Sequence, residues 1–174
     1  MADKISSIVF IFITGVCLGS FLNVLIYRIP RRQSILWPPS SCTACQHRLA
    51  LGDLIPLLSY LGLKGKCRYC REPIHRSYFL VELVTGLFTL AWAFRFSGGL
   101  YELWRLILGY SLIVIATIDF KTQMIPNRLT YPLLLGGLIY RWSLGELQSA
   151  AIGGLVGGGL LLFVYLLHPQ GIGM

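Results

Sequence analysis

The feature that most constrains this chain is its division into apolar runs of bilayer length. The runs at 5–26 and 78–96 match the about 20 residues that a membrane-crossing helix needs, and further runs lie at 103–118, 129–142 and 150–167. A water-soluble fold of 174 residues could not cover that much apolar surface: 55% of the residues are hydrophobic, 13% are charged and mean hydropathy is +0.69, against roughly 45–50% apolar in soluble domains. The expected fold is an all-α polytopic membrane protein with about five transmembrane helices. The first run reads as a retained span and not a cleaved signal peptide. It has no basic start beyond Lys4, lacks a small-x-small cleavage site and continues directly into Arg28. The fourth run, short and interrupted by Pro132, Gly136 and Gly137, is either a short span or a re-entrant segment. In the fifth, Gly153, Gly154, Gly157, Gly158 and Gly159 fall at four-residue spacing, which is expected to let another helix approach by backbone contact.

The net charge of +8 is set mostly by topology. Nine of the fifteen basic residues (Arg28, Arg31, Arg32, Arg48, Lys64, Lys66, Arg68, Arg71, Arg76) lie between the first two runs, opposed there only by Asp53 and Glu72. Such a concentration marks a cytoplasmic loop and places the N-terminus outside; it argues against nucleic-acid binding and leaves membrane lipid as the expected environment. The links carrying Glu102 and Glu146 are then outside, and the link 119–128, with Lys121 and Arg128, is inside. The organisation expected is a first transmembrane helix at 1–27, a loop domain at 28–77 and the remaining helices at 78–174. Pro30, Pro38, Pro39, Pro56 and Pro73 make the loop a poor long helix. No internal repeat is apparent.

Cys42-x-x-Cys45 is followed, after 21 residues, by Cys67-x-x-Cys70. Two such knuckles bring four thiolates to one tetrahedral site, and four soft ligands with no spare position suit structural zinc. A loop of about 50 residues has too little apolar surface to fold alone, so metal binding supplies folding free energy. Two disulfides or an iron–sulfur site are the alternatives, and a reducing cytoplasmic setting disfavours the first. Cys17 reads as a small buried apolar residue of the first span, and His47 and His75 as solvated loop residues.

Asp119 ends the apolar run 112–118, a depth at which a carboxylate costs free energy unless it pairs, protonates or works. It is either an interfacial acid meeting Lys121, Arg128 or the following turn, or a catalytic one. Hydrolysis by two carboxylates sharing a proton would suit it, and would need a second acid. Glu82, one turn into the second span, is open to pairing with Arg76 or another loop base, or to a functional role. Asn23, near the inner end of the first span, is expected to bridge helices.

Assembled in order, these residues resemble the bacterial type IV prepilin peptidases over nearly the whole chain. The segment Gly19-Ser20-Phe21-Leu22-Asn23 through Tyr27-Arg28-Ile29-Pro30 is similar to the family's opening motif. After it come the paired knuckles with Ile55-Pro56 between them, then Arg68, Pro73-Ile74 and Arg76. Glu82-Leu83-Val84-Thr85-Gly86 is similar to its ELxTG segment, and Asp119-Phe120 with Ile125-Pro126-Asn127 resembles the surroundings of its first catalytic aspartate. The resemblance implies cleavage of a short basic leader from prepilins or related pseudopilins at the cytoplasmic membrane face, then N-methylation of the new terminus with S-adenosylmethionine. It also implies an inner-membrane location. The family's second aspartate belongs to a GxGD motif, and this sequence reads Gln170-Gly171-Ile172-Gly173-Met174 there. The expectation is a chain cut within that motif, holding half of the dyad and having little or no peptidase activity of its own. Competing readings are a silent membrane scaffold whose zinc loop docks a cytoplasmic partner, and a thiol-based membrane enzyme such as an acyltransferase.

Overall fold

A computed structural model describes residues 2–96 and 99–167. Its elements are α1 (Ala2–Arg28), a single 3-10 turn (Leu51–Asp53), α2 (Leu58–Gly62), α3 (Ser77–Arg95), α4 (Leu100–Thr122), α5 (Asn127–Ser143) and α6 (Leu147–Leu167). Among the described residues there is no strand, only two isolated β-bridges. Four stretches are long and apolar enough to cross a membrane: Asp3–Arg28, Ser77–Arg95, Tyr101–Thr122 and Leu147–Val164. The weak fourth run forms the 17-residue α5, which continues through Pro132. A proline in the second turn removes one hydrogen bond, to the Arg128 carbonyl.

The chain divides into two compact units, Met1–Thr122 and Gln123–Met174. In the first, α1 packs along α3, and α4 packs against both. Val16, Leu22, Asn23 and Ile26 of α1 face Val81, Glu82, Thr85 and Thr89 of α3, and α4 adds Val114 and Ile118. These positions recur every three to four residues, so each helix buries one stripe. Large apolar side chains point outward instead, Phe10 at 71% and Phe94 at 69% exposed. That inside-out pattern fits a lipid solvent, where helices close their own backbone hydrogen bonds.

Glycine makes the α1–α3 contact close. A Cβ at Gly15 would stand 2.5 Å from Thr89 Oγ1 and 2.9 Å from Gly86 Cα, and one at Gly19 would stand 2.8 Å from Glu82 Cα. Gly15-x-x-x-Gly19 is therefore the small-residue seam of this pair. The buried hydroxyls are satisfied: Thr85 Oγ1 donates to the Val81 carbonyl, Thr89 Oγ1 to the Thr85 carbonyl at 2.7 Å, and the Thr89 and Tyr110 hydroxyls meet at 2.8 Å between α3 and α4.

Three sequence expectations shift. Asp119 and Lys121 belong to the last turn of α4, not to the link after it, because the helix continues past the apolar run to the break at Gln123, which takes φ +51. Glu102 likewise lies in the first turn of α4, 4% exposed, 3.4 Å from Arg105 Nη1. Cys17 is exposed on the outer face of α1, since the stripe on 15, 16, 19 and 22 leaves it on the other side.

In the second unit α5 packs on α6, and an Arg141–Glu146 ion pair spans the turn between them, where Gly145 takes φ +71. A Cβ at Gly153, Gly154, Gly157, Gly158 or Gly159 would meet nothing from α5.

Candidate metal centre and active-site face

The loop between α1 and α3 is built from two copies of one turn. Cys42 N–H donates to the His47 carbonyl and Cys67 N–H to the Glu72 carbonyl, while Gln46 N–H returns to the Cys42 carbonyl and Arg71 N–H to that of Cys67. Gln46 and Arg71, each four residues after the first cysteine, take φ +59 and +63. The bridges Ser41–Arg48 and Lys66–Pro73 close the two copies at the same register. This is an internal repeat after all; it escapes sequence inspection because only the cysteines are shared and neither left-handed position is a glycine.

The repeat brings the four sulfurs of Cys42, Cys45, Cys67 and Cys70 within 4.8 Å of one another, with Cys42 and Cys70 3.9 Å apart. Tetrahedral thiolates about 2.3 Å from a zinc-sized ion stand roughly 3.8 Å apart, so the donor set and its spacing suit a metal ion. All four are free thiols, which sets the disulfide alternative aside. The N–H groups of Cys70 and then Tyr69 point at the Cys67 sulfur and hold its thiol down to about 7. The Glu72 N–H acts the same way on Cys70, yet burial and its three cysteine neighbours push that thiol up to about 12.

Side chains around the sulfurs tie the copies together. The His47 ring lies 3.7 Å from that of Tyr69, centroid to centroid, linking first copy to second. His75 accepts the Ser77 N–H at the start of α3. Neither histidine joins the sulfur cluster; both are exposed, as expected of loop residues, and each also has a local partner. Burial raises the Asp53 carboxyl pKa, but Arg68 Nε at 2.5 Å, the Ala50 N–H and the Tyr69 hydroxyl, both at 3.1 Å, outweigh it and hold the group below its ordinary value. At the loop's entrance Arg28, 8% exposed, donates to the carbonyls of Ser34, Ile35 and Pro38. Its role in the folded chain is a staple.

The polar residues of the helices divide. Asn23 Nδ2 donates to the Tyr78 carbonyl at 2.9 Å, a bridge from α1 to α3. Glu82 neither reaches out to the interface nor pairs with Arg76; its carboxylate accepts the Leu57 N–H at 2.8 Å. Sequence reasoning missed this contact, although Ile55-Pro56 and the Glu82 segment are both conspicuous, because nothing local to either says that they meet. Asp119 is exposed and has no hydrogen bond or ion pair among the described residues. Lys121 does not neutralise it: its Nζ sits 5.3 Å from the centre of the Tyr78 ring. The structure brings the four cysteines together and joins Glu82 to the loop, and Asp119 touches none of them. Gly171, Gly173 and Met174, the positions compared with the GxGD motif, lie outside the described residues.

Residues 13–96 match the bacterial peptidase A24 N-terminal domain, and residues 106–174 match the type IV leader peptidase family. A prepilin leader peptidase/N-methyltransferase of Myxococcus xanthus (strain DK1622) is 45% identical over 152 residues, 86% of this chain and 45% of that protein. One from Klebsiella pneumoniae is 39% identical over 165 residues, 90% of this chain and 72% of the relative. One from Dickeya chrysanthemi is 33% identical over 180 residues, covering 89% and 64%. The chain thus spans less than half of the Myxococcus relative and about two thirds of the other two. No solved structure matches it. With both segments matched in order and a relative of 39% identity covered over 72% of its length, this chain belongs to the type IV leader peptidase family.

Proposed function

We propose that this chain carries the metal module and the first catalytic aspartate of an enzyme that removes leader peptides from type IV prepilins or pseudopilins and methylates the new N-terminus. The observation that carries the reading is Asp119: an exposed carboxylate with no hydrogen-bond or ion-pair partner among the described residues, at the end of a helix long and apolar enough to span a bilayer. Unpaired acids at membrane depth are costly and are kept for work. The orientation that fits is the N-terminus outside and loop 28–77 inside the bacterial inner membrane, with zinc on the four cysteines. Asp119 then stands at the cytoplasmic boundary, where the basic leader of a substrate held by its apolar helix would arrive.

The chemistry is that of a carboxyl pair, one group taking a proton from water while the other donates to the scissile carbonyl. Asp119 supplies one member. Of the other six acids, Asp53, Glu82, Glu102 and Glu146 each hold a partner of their own, while Asp3 lies in the first turn of α1 and Glu72 in the second cysteine turn; none forms a carboxyl pair with Asp119 among the described residues. Alone, therefore, this chain should not cleave. Methyl transfer from S-adenosylmethionine rests on the names of the relatives, and no residue here is assigned to it.

The test is mass spectrometry of a prepilin peptide incubated with the zinc-loaded chain in lipid, and with the same chain extended by a segment bearing a GxGD acid. Cleavage by the extended chain alone, abolished by Asp119→Asn with zinc and folding retained, is the expected result. Cleavage that survives Asp119→Asn would sink the assignment and leave the silent-scaffold reading standing for this part of the molecule.

A further inference from the structure

Three segments far apart in the chain meet at one carboxylate. Glu82 of α3 is 8% exposed and accepts the Leu57 N–H at 2.8 Å. Ser20 of α1 stands beside the same group, and Gly19 lets α1 lie directly on the Glu82 backbone. Leu57 itself takes φ +58 and ψ −50, and the Leu58 N–H folds back to the Pro56 carbonyl at 2.6 Å. That is a three-residue γ-turn of the positive-φ kind, rare and strained for a leucine. Such a conformation persists only where its surroundings enforce it. Here the hydrogen bond from outside the loop goes to the Glu82 carboxylate, which captures the N–H that the turn directs out of the loop.

The turn leads straight to the metal module. α2 starts at Leu58, the Gly65 N–H closes on the Tyr60 carbonyl at 2.8 Å, and the Ile74 N–H bonds the Gly65 carbonyl at 2.7 Å, beside the second cysteine turn. The Tyr60 ring also packs on Phe79 of α3, with centroids 5.4 Å apart. Position set at Leu57 is thus handed on to Cys67 and Cys70.

We infer that Glu82 is a positioning residue whose carboxylate seats the four-cysteine loop on the α1–α3 pair by capturing the strained turn at Leu57. This goes beyond the peptidase reading and does not depend on it, because seating is read without any substrate.

The test is hydrogen exchange on the whole zinc-loaded chain in lipid nanodiscs. A hydrogen bond to a charged acceptor protects strongly, so Glu82→Ala should speed exchange at Leu57 and through α2 by about tenfold to hundredfold. Zinc content and the protection of α1 and α3 should stay unchanged. Glu82→Gln, whose amide oxygen still accepts, should stay within about tenfold of the parent. Glycine reaches φ +58 without strain, so Leu57→Gly added to Glu82→Ala should restore most of the protection in α2. Equal exchange in parent and Glu82→Ala overturns the inference, as does Glu82→Gln behaving like alanine, which would mark a packing role only. If Glu82→Ala does not fold, Leu57→Gly alone decides: slower exchange across 55–61 supports the strained seat, and unchanged or faster exchange refutes it.

Discussion

The two units of this chain contain the same kinds of residue and use them differently. In the first, the small-residue seam of α1 meets Gly86 and Thr89, every buried polar side-chain atom described has a partner, and four cysteines converge. In the second, α6 has five glycines at helix-pairing spacing, yet α5 engages none of them. Glycine spacing opens a groove. Whether the groove is filled depends on what the opposite helix presents, and to α1 the helix α3 presents a glycine and two threonines.

The largest expected effect separates the units outright. Removing the metal with a chelator, or replacing a ligand by Cys67→Ser, should unfold loop 28–77, since structural zinc contributes on the order of 10 kcal/mol in small sites. Exchange in α5 and α6 should not change. Metal analysis and segment-resolved exchange would show it, and unaltered zinc stoichiometry in Cys67→Ser would remove the four-thiolate site. The pH dependence has a definite sign. Ion binding displaces the Cys70 proton at any pH below about 12, and the Cys67 proton only below about 7. Metal affinity should therefore fall as the medium becomes more acid, and more steeply below neutrality.

Next in size is Gly15→Val, which drives a branched side chain into Thr89 and Gly86 and should cost about 2–3 kcal/mol in reversible unfolding in mixed micelles. A neutral result would mean that the α1–α3 seam is looser than its atomic contacts imply. Thr89→Val removes the hydroxyl contact with Tyr110 at nearly constant volume and should cost about 0.6 kcal/mol, the usual scale for interhelical hydrogen bonds in membranes. The smallest change is expected from Gly157→Ala in α6, neutral or stabilising by up to about 1 kcal/mol through helix propensity. If it destabilises instead, α6 has a close partner in the membrane and the contrast between the units disappears.

Much of this was legible in the sequence. Apolar runs located the long helices because 20-residue apolar stretches have few other uses, and cysteine spacing located the metal cluster because the chemistry dictates the interval. The prolines kept the loop from becoming a long helix. What stayed hidden depended on contacts between distant segments. Gly19 with Ser20, Ile55-Pro56 and Glu82 can each be read as separate landmarks, but their convergence is a tertiary fact. The glycines of α6 drew attention by number, while the working pair, Gly15 and Gly19, looked unremarkable beside them. Asp119 stood out from its position, but that Lys121 does not neutralise it needed the placement of Lys121 on Tyr78 to be seen.

Arg28 carries a consequence in time. While the chain is being inserted and the loop has not yet folded, its guanidinium is one of nine basic charges that, in the orientation proposed, hold this segment on the cytoplasmic side. Once the three loop carbonyls close around it, that charge is withdrawn from the surface. A reversal of orientation after folding would have to drag a buried, multiply bonded cation back through water and lipid, so the closing of the loop turns a statistical preference of biogenesis into a lock.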